Sequence, residues 1–488
     1  MTHGNIYNWQ ENTEKGYSIG WNLKTLISKG LPKKDPPTNL KELLKQIITL
    51  VSESRTEWSG PQTINSLDSY VTLFVEKENL DTQNLSYLFK VFFQKIHENV
   101  LQLTISLDLV PTSDFPNVKQ ETLEKINHVL QDTASEFMEK GFFEPYIVVN
   151  IYQNTDWNSE TLDEWIKLSY KYGQPVYHNF QTGTIGSDRL RPRDQKPEPD
   201  TIQLRLGGAN GNSENQSVTG FSCINLAKIG AEAKNENQFF NTLGEKMDEA
   251  TRFLAEKRRS IENKFNRNEF LWTKWFIEDL NWSYSVITLV GMNEALESLI
   301  DAPLGHVAGK AVTYKVLEFL LRKIENIQYK SDQLFSLESY PSDTPGDILL
   351  QEYKSQYTFL TAATELKPSH GDDLWDSLEH QKKFHSMYTG GTLQQIHLEN
   401  GLNYNSGLKL LLRRIIENFG YNYLAITPIF SLCKEHGYIL GTQDACPKCG
   451  KKTETYTRID TKITPVSNLQ SSLKEVYRQR VYYDVKNE

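Results

Sequence analysis

The chain has 488 residues, 38% hydrophobic and 11% aromatic, enough for a sizeable core in one large domain or roughly two to three ordinary ones. Its 62 acidic and 53 basic residues give a formal net charge of -9, which argues against a nucleic-acid-binding surface. No apolar run is long enough for a membrane span, the polar start MTHGNIYNWQENTEKG lacks a signal-peptide core, and the scarcity of cysteine suits a reducing cytoplasm.

In chain order, Leu40, Leu43, Leu44, Ile47, Ile48 and Val51 form one stripe at helical spacing. LQLTISLDLVP (101–111) is a strand candidate, and residues 121–140 read as an amphipathic helix. FFEPYIVVNIY (142–152) is β-branched and aromatic and reads as strand; Glu160 to Tyr172 is helical, and PVYHNF is strand-like. This alternation, continued further on, predicts an α/β barrel or sheet. Gly183 to Asp200 is rich in Gly, Pro and charge and reads as an irregular loop. Cys223 falls on the strand face opposite Ile224 and reads as a buried structural thiol. Residues 239–265 form a long helix, in which the run Lys257-Arg258-Arg259 reads as a solvated face. Residues 283–300 read as strand then helix, with the junction at Gly291 and Asn293, and Val312 to Ile327 is a helix with an apolar stripe for packing. Tyr388-Thr389-Gly390-Gly391-Thr392 precedes a strand-like LQQIHLE. Its two glycines let backbone N–H groups face an anion, and its threonines add hydroxyls; the alternative is a plain turn. A helix then ends near Gly420, and a strand follows.

The densest chemistry lies near the C-terminus. Cys433-x2-His436 is followed after nine residues by Cys446-x2-Cys449, with Pro447 and Gly450 suited to the second turn. Two such pairs supply a tetrahedral zinc site, and three of the chain's four cysteines fall in this window. Four protein ligands leave no open position for substrate, so the site reads as structural.

This knuckle, together with ITPIFS (426–431), EWSG (57–60), YTGGT (388–392) and the tail KEVYRQRVYYDV, resembles the anaerobic (class III) ribonucleoside-triphosphate reductases, the glycyl-radical branch of ribonucleotide reductases. The resemblance covers nearly the whole chain. It implies a ten-stranded α/β barrel of two five-stranded halves in residues 1–425, without the family's N-terminal ATP-cone. Residues 426–488 would carry the knuckle and the radical loop. In the family that loop reads Arg-Val-x-Gly-Tyr-x-Arg-Pro-Val, and its glycine stores the radical. Here it reads Arg458-Ile459-Asp460-Thr461-Lys462-Ile463-Thr464-Pro465-Val466, which puts Thr461 at the glycine. Glycine has no Cβ to obstruct flattening of a Cα radical, whereas threonine is β-branched and stiff. The family's finger loop carries a Cys-Cys-Arg-Leu segment that supplies the thiyl radical. The matching Ile202-Gln203-Leu204-Arg205-Leu206 has Gln203 and Leu204 instead, and neither side chain can cycle as a hydrogen-atom abstractor.

Other family positions are kept. GFSCINLAKIG (220–230) resembles a family strand in which Asn225 matches a ribose-binding asparagine; the alternative is a strand-end residue satisfying backbone groups. Thr389, Gly390, Gly391 and Thr392 match part of the substrate-phosphate pocket. His97, His178, Asp188, Asp194 and Glu214 lie near the expected pocket segments without forming a recognisable acid–base pair. The leading expectation is a homologue without radical chemistry that holds a nucleoside triphosphate in a nucleotide-binding or regulatory role. It would carry structural zinc and no glycyl radical, as a homodimer or beside an intact reductase. The alternatives are an active reductase making deoxyribonucleotides and a repurposed, non-radical nucleotide enzyme.

Overall fold

Alternation along each strand sets the architecture. In LTISL, Leu103, Ile105 and Leu107 join the large apolar cluster shared with the surrounding helices, leaving Thr104 and Ser106 on the other face. The same division holds in SYSVITLV, where Ile287 and Leu289 pack on helices and Thr288 turns away. A computed structural model describes residues 5–9, 14–181, 216–331, 333–339, 343–351, 356–371, 373–398, 406–459 and 462–483. Gln203, Leu204, Asp188, Asp194, Glu214 and Thr461 lie outside the described residues.

The main sheet contains β1 (Ile6–Asn8), β2 (Ser18–Trp21), β3 (Gln62–Ile64), β4 (Leu103–Leu107), β5 (Tyr146–Ile151), β6 (Val176–Asn179), β7 (Ser217–Asn225), β8 (Ser283–Val290), β9 (Leu334–Glu338), β10 (Leu393–His397) and β11 (Tyr423–Thr427). Ten of these run in the order β10-β11-β6-β5-β4-β3-β2-β7-β8-β9, with β1 paired to the far end of β7. Strands β2 to β6 are parallel to one another, as are β7 to β9 and β10 to β11. The two sets meet antiparallel at β2–β7 and at β11–β6. A parallel bridge from Ser339 to Thr392 joins β9 to β10, closing the ten strands into a barrel of two five-stranded halves. A second sheet, ordered β13-β12-β14-β15, follows the barrel: β12 (Phe430–Cys433), β13 (Gly437–Leu440), β14 (Glu454–Ile459) and β15 (Lys462–Pro465).

The helices cover the outer face of the barrel. Helix Leu40–Glu53 starts at Asn39, whose side chain accepts from Glu42 N, and buries the expected stripe of Leu40, Leu43, Leu44, Ile47 and Val51. Helices Gln120–Glu139 and Glu160–Tyr172 fall where their periodicity placed them. Helix Glu236–Asn266 corrects one expectation: Lys257 and Arg258 are buried, not solvated. Arg258 donates to the Leu280 and Ser283 carbonyls and pairs with Glu262, while the Lys257 ammonium lies 4.2 Å from the Trp9 ring centroid. The segment 220–230 also differs from its expected strand. The strand stops at Asn225, whose side-chain oxygen accepts from Lys228 N and opens helix Leu226–Glu232. Among the described residues, no helix is long and apolar enough to cross a membrane.

Two polar clamps tie the first half together. The Glu57 carboxylate accepts from Trp272 N, Thr273 N and the Thr273 hydroxyl, and the Trp58 indole donates to that same hydroxyl at 2.7 Å. This accounts for Glu-Trp in EWSG: it anchors helix Leu271–Phe276 to the wall. The second clamp is buried at the ends of β3 and β4. Asp68 accepts from Ser69 N, Asp108 N, Leu109 N and the Asn127 amide. Asp108 accepts from the Ser69 hydroxyl, the Asn150 amide and the Tyr152 hydroxyl. Burial and the neighbouring Asp108 carboxylate push Asp68 up from 3.8 to about 6.

A carboxyl raised on folding stabilises the fold below its unfolded value and loses that contribution as pH rises through about 6. Asp108→Asn removes the opposing charge while leaving groups that can keep the Asn150, Tyr152 and Ser69 contacts. Relative to the parent, its thermal midpoint should rise as pH goes from about 4 to about 7, by the equivalent of roughly 1–3 kcal/mol. Melting curves across that pH range check this; a constant difference would show that the two carboxyls are not coupled.

Candidate functional site

The small sheet brings Cys433, His436, Cys446 and Cys449 to one point. Cys433 ends β12, and His436 sits in the turn to β13, where Gly437 takes φ +68. Cys446 opens a second turn in which Gly450 N donates to Cys446 O and Cys446 N to Lys451 O, both at 2.8 Å. The four ligand atoms all lie within 4.8 Å of one another. Cys433 Sγ is 3.7 Å from Cys449 Sγ and 3.7 Å from His436 Nδ1, and Cys446 Sγ is 3.6 Å from His436 Nδ1. A tetrahedral ion about 2.3 Å from sulfur and about 2.0 Å from nitrogen gives edges of roughly 3.5–3.8 Å. The set can therefore hold a metal ion with all four positions filled by protein.

The sheet is locked to the barrel by aromatic packing. Phe430 stacks on Tyr456 with a centroid separation of 5.6 Å and meets Tyr172 edge-on at 5.7 Å. Arg458, in the loop that resembles the radical loop, is fully buried and bonds Gly173 O and the Tyr146 hydroxyl. Gly173 has φ +79, and a Cβ there would meet Ile463 Cδ1 at 2.6 Å. Ile459 pairs with Lys462 on either side of positions 460 and 461.

The barrel's inner face was not separated out in the sequence analysis. An ordinary α/β barrel interior is filled by Val, Ile and Leu. Here the outward residues are apolar, and much of the inward set is polar. Ser18, Thr63, Thr288, Ser336 and Thr427 are buried, and their hydroxyl oxygens have no hydrogen-bond partner among the described residues; the same is true of Asn150 Oδ1. The signal was present as the alternation of small polar and branched apolar residues in LTISL and SYSVITLV. Cys223 is also inward and fully buried, wrapped by Tyr7, Trp9, Phe221, Val286 and Leu360, as expected of a structural thiol. His178 is inward, stacks on Tyr423 at 4.3 Å and meets a tilted Phe180 ring at 4.0 Å. His97 is instead exposed on the outer helix Thr82–Glu98 and lies 3.7 Å from Phe142, away from the interior.

Two of the singled-out positions are committed to the fold. Asn225 spends its side-chain oxygen on the helix cap described above. In 388–392, Gly390 N donates to Leu337 O at 2.8 Å and Gly391 N to Tyr388 O at 2.9 Å, so the two amides do not form the expected anion cradle. Thr389 Oγ1 accepts from Leu337 N, and Thr392 shares a hydrogen bond with His385, whose imidazole burial holds down at about 3 and so neutral. This loop is the seam that closes the barrel. Asn225 and the seam sit at similar heights on the wall, with β8 and β9 between their strands.

The family model described as anaerobic ribonucleoside-triphosphate reductase matches residues 1–483. Among solved structures, one called anaerobic ribonucleotide reductase superposes with a TM-score of 0.78 at 18% identity, covering 99% of this chain and 83% of that one. The anaerobic ribonucleotide reductase from Thermotoga maritima in complex with dATP and CTP gives a TM-score of 0.78 at 17% identity, covering 98% and 84%. The same enzyme with glycerol in its active site gives 0.77 at 17%, covering 98% and 84%. Nothing among curated proteins matches.

Elemental analysis of purified protein should return about one metal ion per chain. Cys446→Ser should lose that ion and lower the thermal midpoint, with the small sheet opening first in hydrogen exchange. Full metal content in Cys446→Ser would contradict the cluster.

Proposed function

Because this chain belongs to the anaerobic ribonucleoside-triphosphate reductase family, we propose that it holds a nucleoside triphosphate inside its barrel and does not carry out radical reduction of the ribose. The observation that carries the reading is the polar inner face. A buried hydroxyl without a partner costs roughly 1–3 kcal/mol. Five such hydroxyls and one amide oxygen face the interior, a lining suited to a hydroxyl- and phosphate-rich ligand. The sequence supports the absence of radical chemistry. Gln203 and Leu204 stand at the thiyl position, Thr461 stands at the radical glycine, and the remaining thiol, Cys223, is enclosed by apolar side chains.

The metal in this reading is zinc, which three thiolates and one imidazole suit, in a structural role. It would fix the turns that present β14 and the buried Arg458 to the barrel. A protein of this kind acts by holding or sensing nucleotide, as a homodimer or beside an intact reductase.

Ser336→Ala and Thr427→Val remove hydroxyls that bond nothing among the described residues. Without ligand, their thermal midpoints should not fall below the parent's and should rise by the equivalent of up to about 1–3 kcal/mol. Calorimetric titration with the four ribonucleoside triphosphates should show binding of at least one, weakened roughly fivefold or more in the double variant. No heat with any triphosphate at millimolar concentration, or equal affinity in the double variant, would contradict the proposal.

A further inference from the structure

Past the end of β9, β10 continues beside β11, and the wall opens into a cavity of about 170 Å³ between Val290 at the end of β8 and His397 at the end of β10. Segment 359–370 lines one side. The other is roofed by helix Ser471–Gln479 and the tail beyond it, held by Val481 N to Pro368 O and Tyr483 N to His397 O, both at 2.9 Å. This is the C-terminal edge of a parallel strand set, where α/β folds place ligands.

We propose that this cavity, at the barrel mouth where Val290 and His397 continue the inner face, is a second binding site for an uncharged single-ring heterocycle with hydrogen-bond donors and acceptors on its edge, of the pyrimidine-base type. Three observations carry it. The first is size: a cavity of about 150 Å³ takes one benzene-sized ring, whereas larger organic ligands need roughly 300 Å³ or more. A whole nucleoside triphosphate exceeds that volume.

The second is the balance of charge. Lys367 is paired with Glu297 at 2.6 Å, and Asp347 accepts from the Ser472 hydroxyl at 2.6 Å. Glu365 and Arg480 also hold interactions of their own. The lining therefore does not call for a charged guest.

The third is the chemistry of the walls. Phe359, Leu366, Leu473 and Val476 supply apolar surface for the faces of a ring. Gln381, Gln394 and Gln395 bring amides to its edge, the group that proteins use to pair with base edges. Gln381 is 4% exposed, and its side-chain oxygen has no partner among the described residues. His397 Nδ1, also on the lining, has none either. Burial, with Arg480 and Arg458 nearby, holds that imidazole well below its ordinary value and so neutral. An amide oxygen accepts only, so the guest must present an N–H or O–H to it.

The test is calorimetric titration of the full-length protein with uracil and with cytosine, using adenine as a two-ring control. One pyrimidine should bind one-to-one at millimolar concentration or below, with adenine about tenfold weaker or more. Gln381→Leu keeps the volume and removes the amide; Val476→Phe fills the cavity from the half-buried tail helix. Each should weaken pyrimidine binding by about tenfold. Val476→Phe lies outside the barrel interior and should leave triphosphate binding unchanged, which separates this site from the one proposed above. The inference is overturned if neither pyrimidine binds. It is also overturned if adenine binds equally well, if folded Val476→Phe binds pyrimidine like the parent, or if it loses the triphosphate as well.

Discussion

Among the described residues, one parallel bridge, Ser339 to Thr392, holds the wall between β9 and β10, and the chain makes it because position 390 has no side chain. A Cβ at Gly390 would sit 2.3 Å from Glu338 Cγ and 2.9 Å from Ser336 Oγ. Without one, the backbone reaches Leu337 O and the start of β10 is set beside the end of β9. Two consequences follow from this offset. The ten strands close and enclose an inner face, and β10 rises past β9, leaving the mouth that the tail helix covers.

The enclosed face is mixed. Outward side chains of the same strands account for the large apolar clusters against the helices, while the inward set combines two smaller apolar clusters with hydroxyls, amides and an imidazole. A fold that keeps partnerless polar groups in a closed interior gives up stability there unless something in the barrel bonds them. The Asp68–Asp108 clamp shows the opposite arrangement. Hydrogen-bond partners account for all four of its carboxylate oxygens, so its role is to tie strand ends to a helix. Saturated polar groups such as this clamp hold the fold together.

Much of this was legible in the sequence. Strongly periodic stretches such as Leu40 to Val51 and Glu160 to Tyr172 became the expected helices, because an amphipathic stripe has one way to bury itself. The metal cluster was legible because two short pairs of soft ligands fix their own geometry. The closed barrel came from the family resemblance, since alternation of strand and helix does not distinguish a barrel from an open sheet. Lys257 and Arg258 were misread because charge was taken to mean exposure, whereas their long stems lie along β7 and Trp9 and their heads find carbonyls and a ring. The glycine loop kept two readings open for a related reason. Two glycines supply free backbone, but only tertiary contacts decide whether an amide meets an anion or a neighbouring carbonyl. The mouth cavity left no local signal, because residues far apart in sequence line it.

The account turns on a barrel that retains a ribonucleotide and leaves its ribose intact. The most direct measurement is recovery of bound nucleotide by mass spectrometry after anaerobic incubation with ribonucleoside triphosphates, S-adenosylmethionine, a reductant and a radical-generating activase. The account predicts that ribonucleotide co-elutes with the protein and is recovered with its 2′-hydroxyl present. Deoxyribonucleotide formed in amounts exceeding the enzyme, or protein eluting without nucleotide, would contradict it.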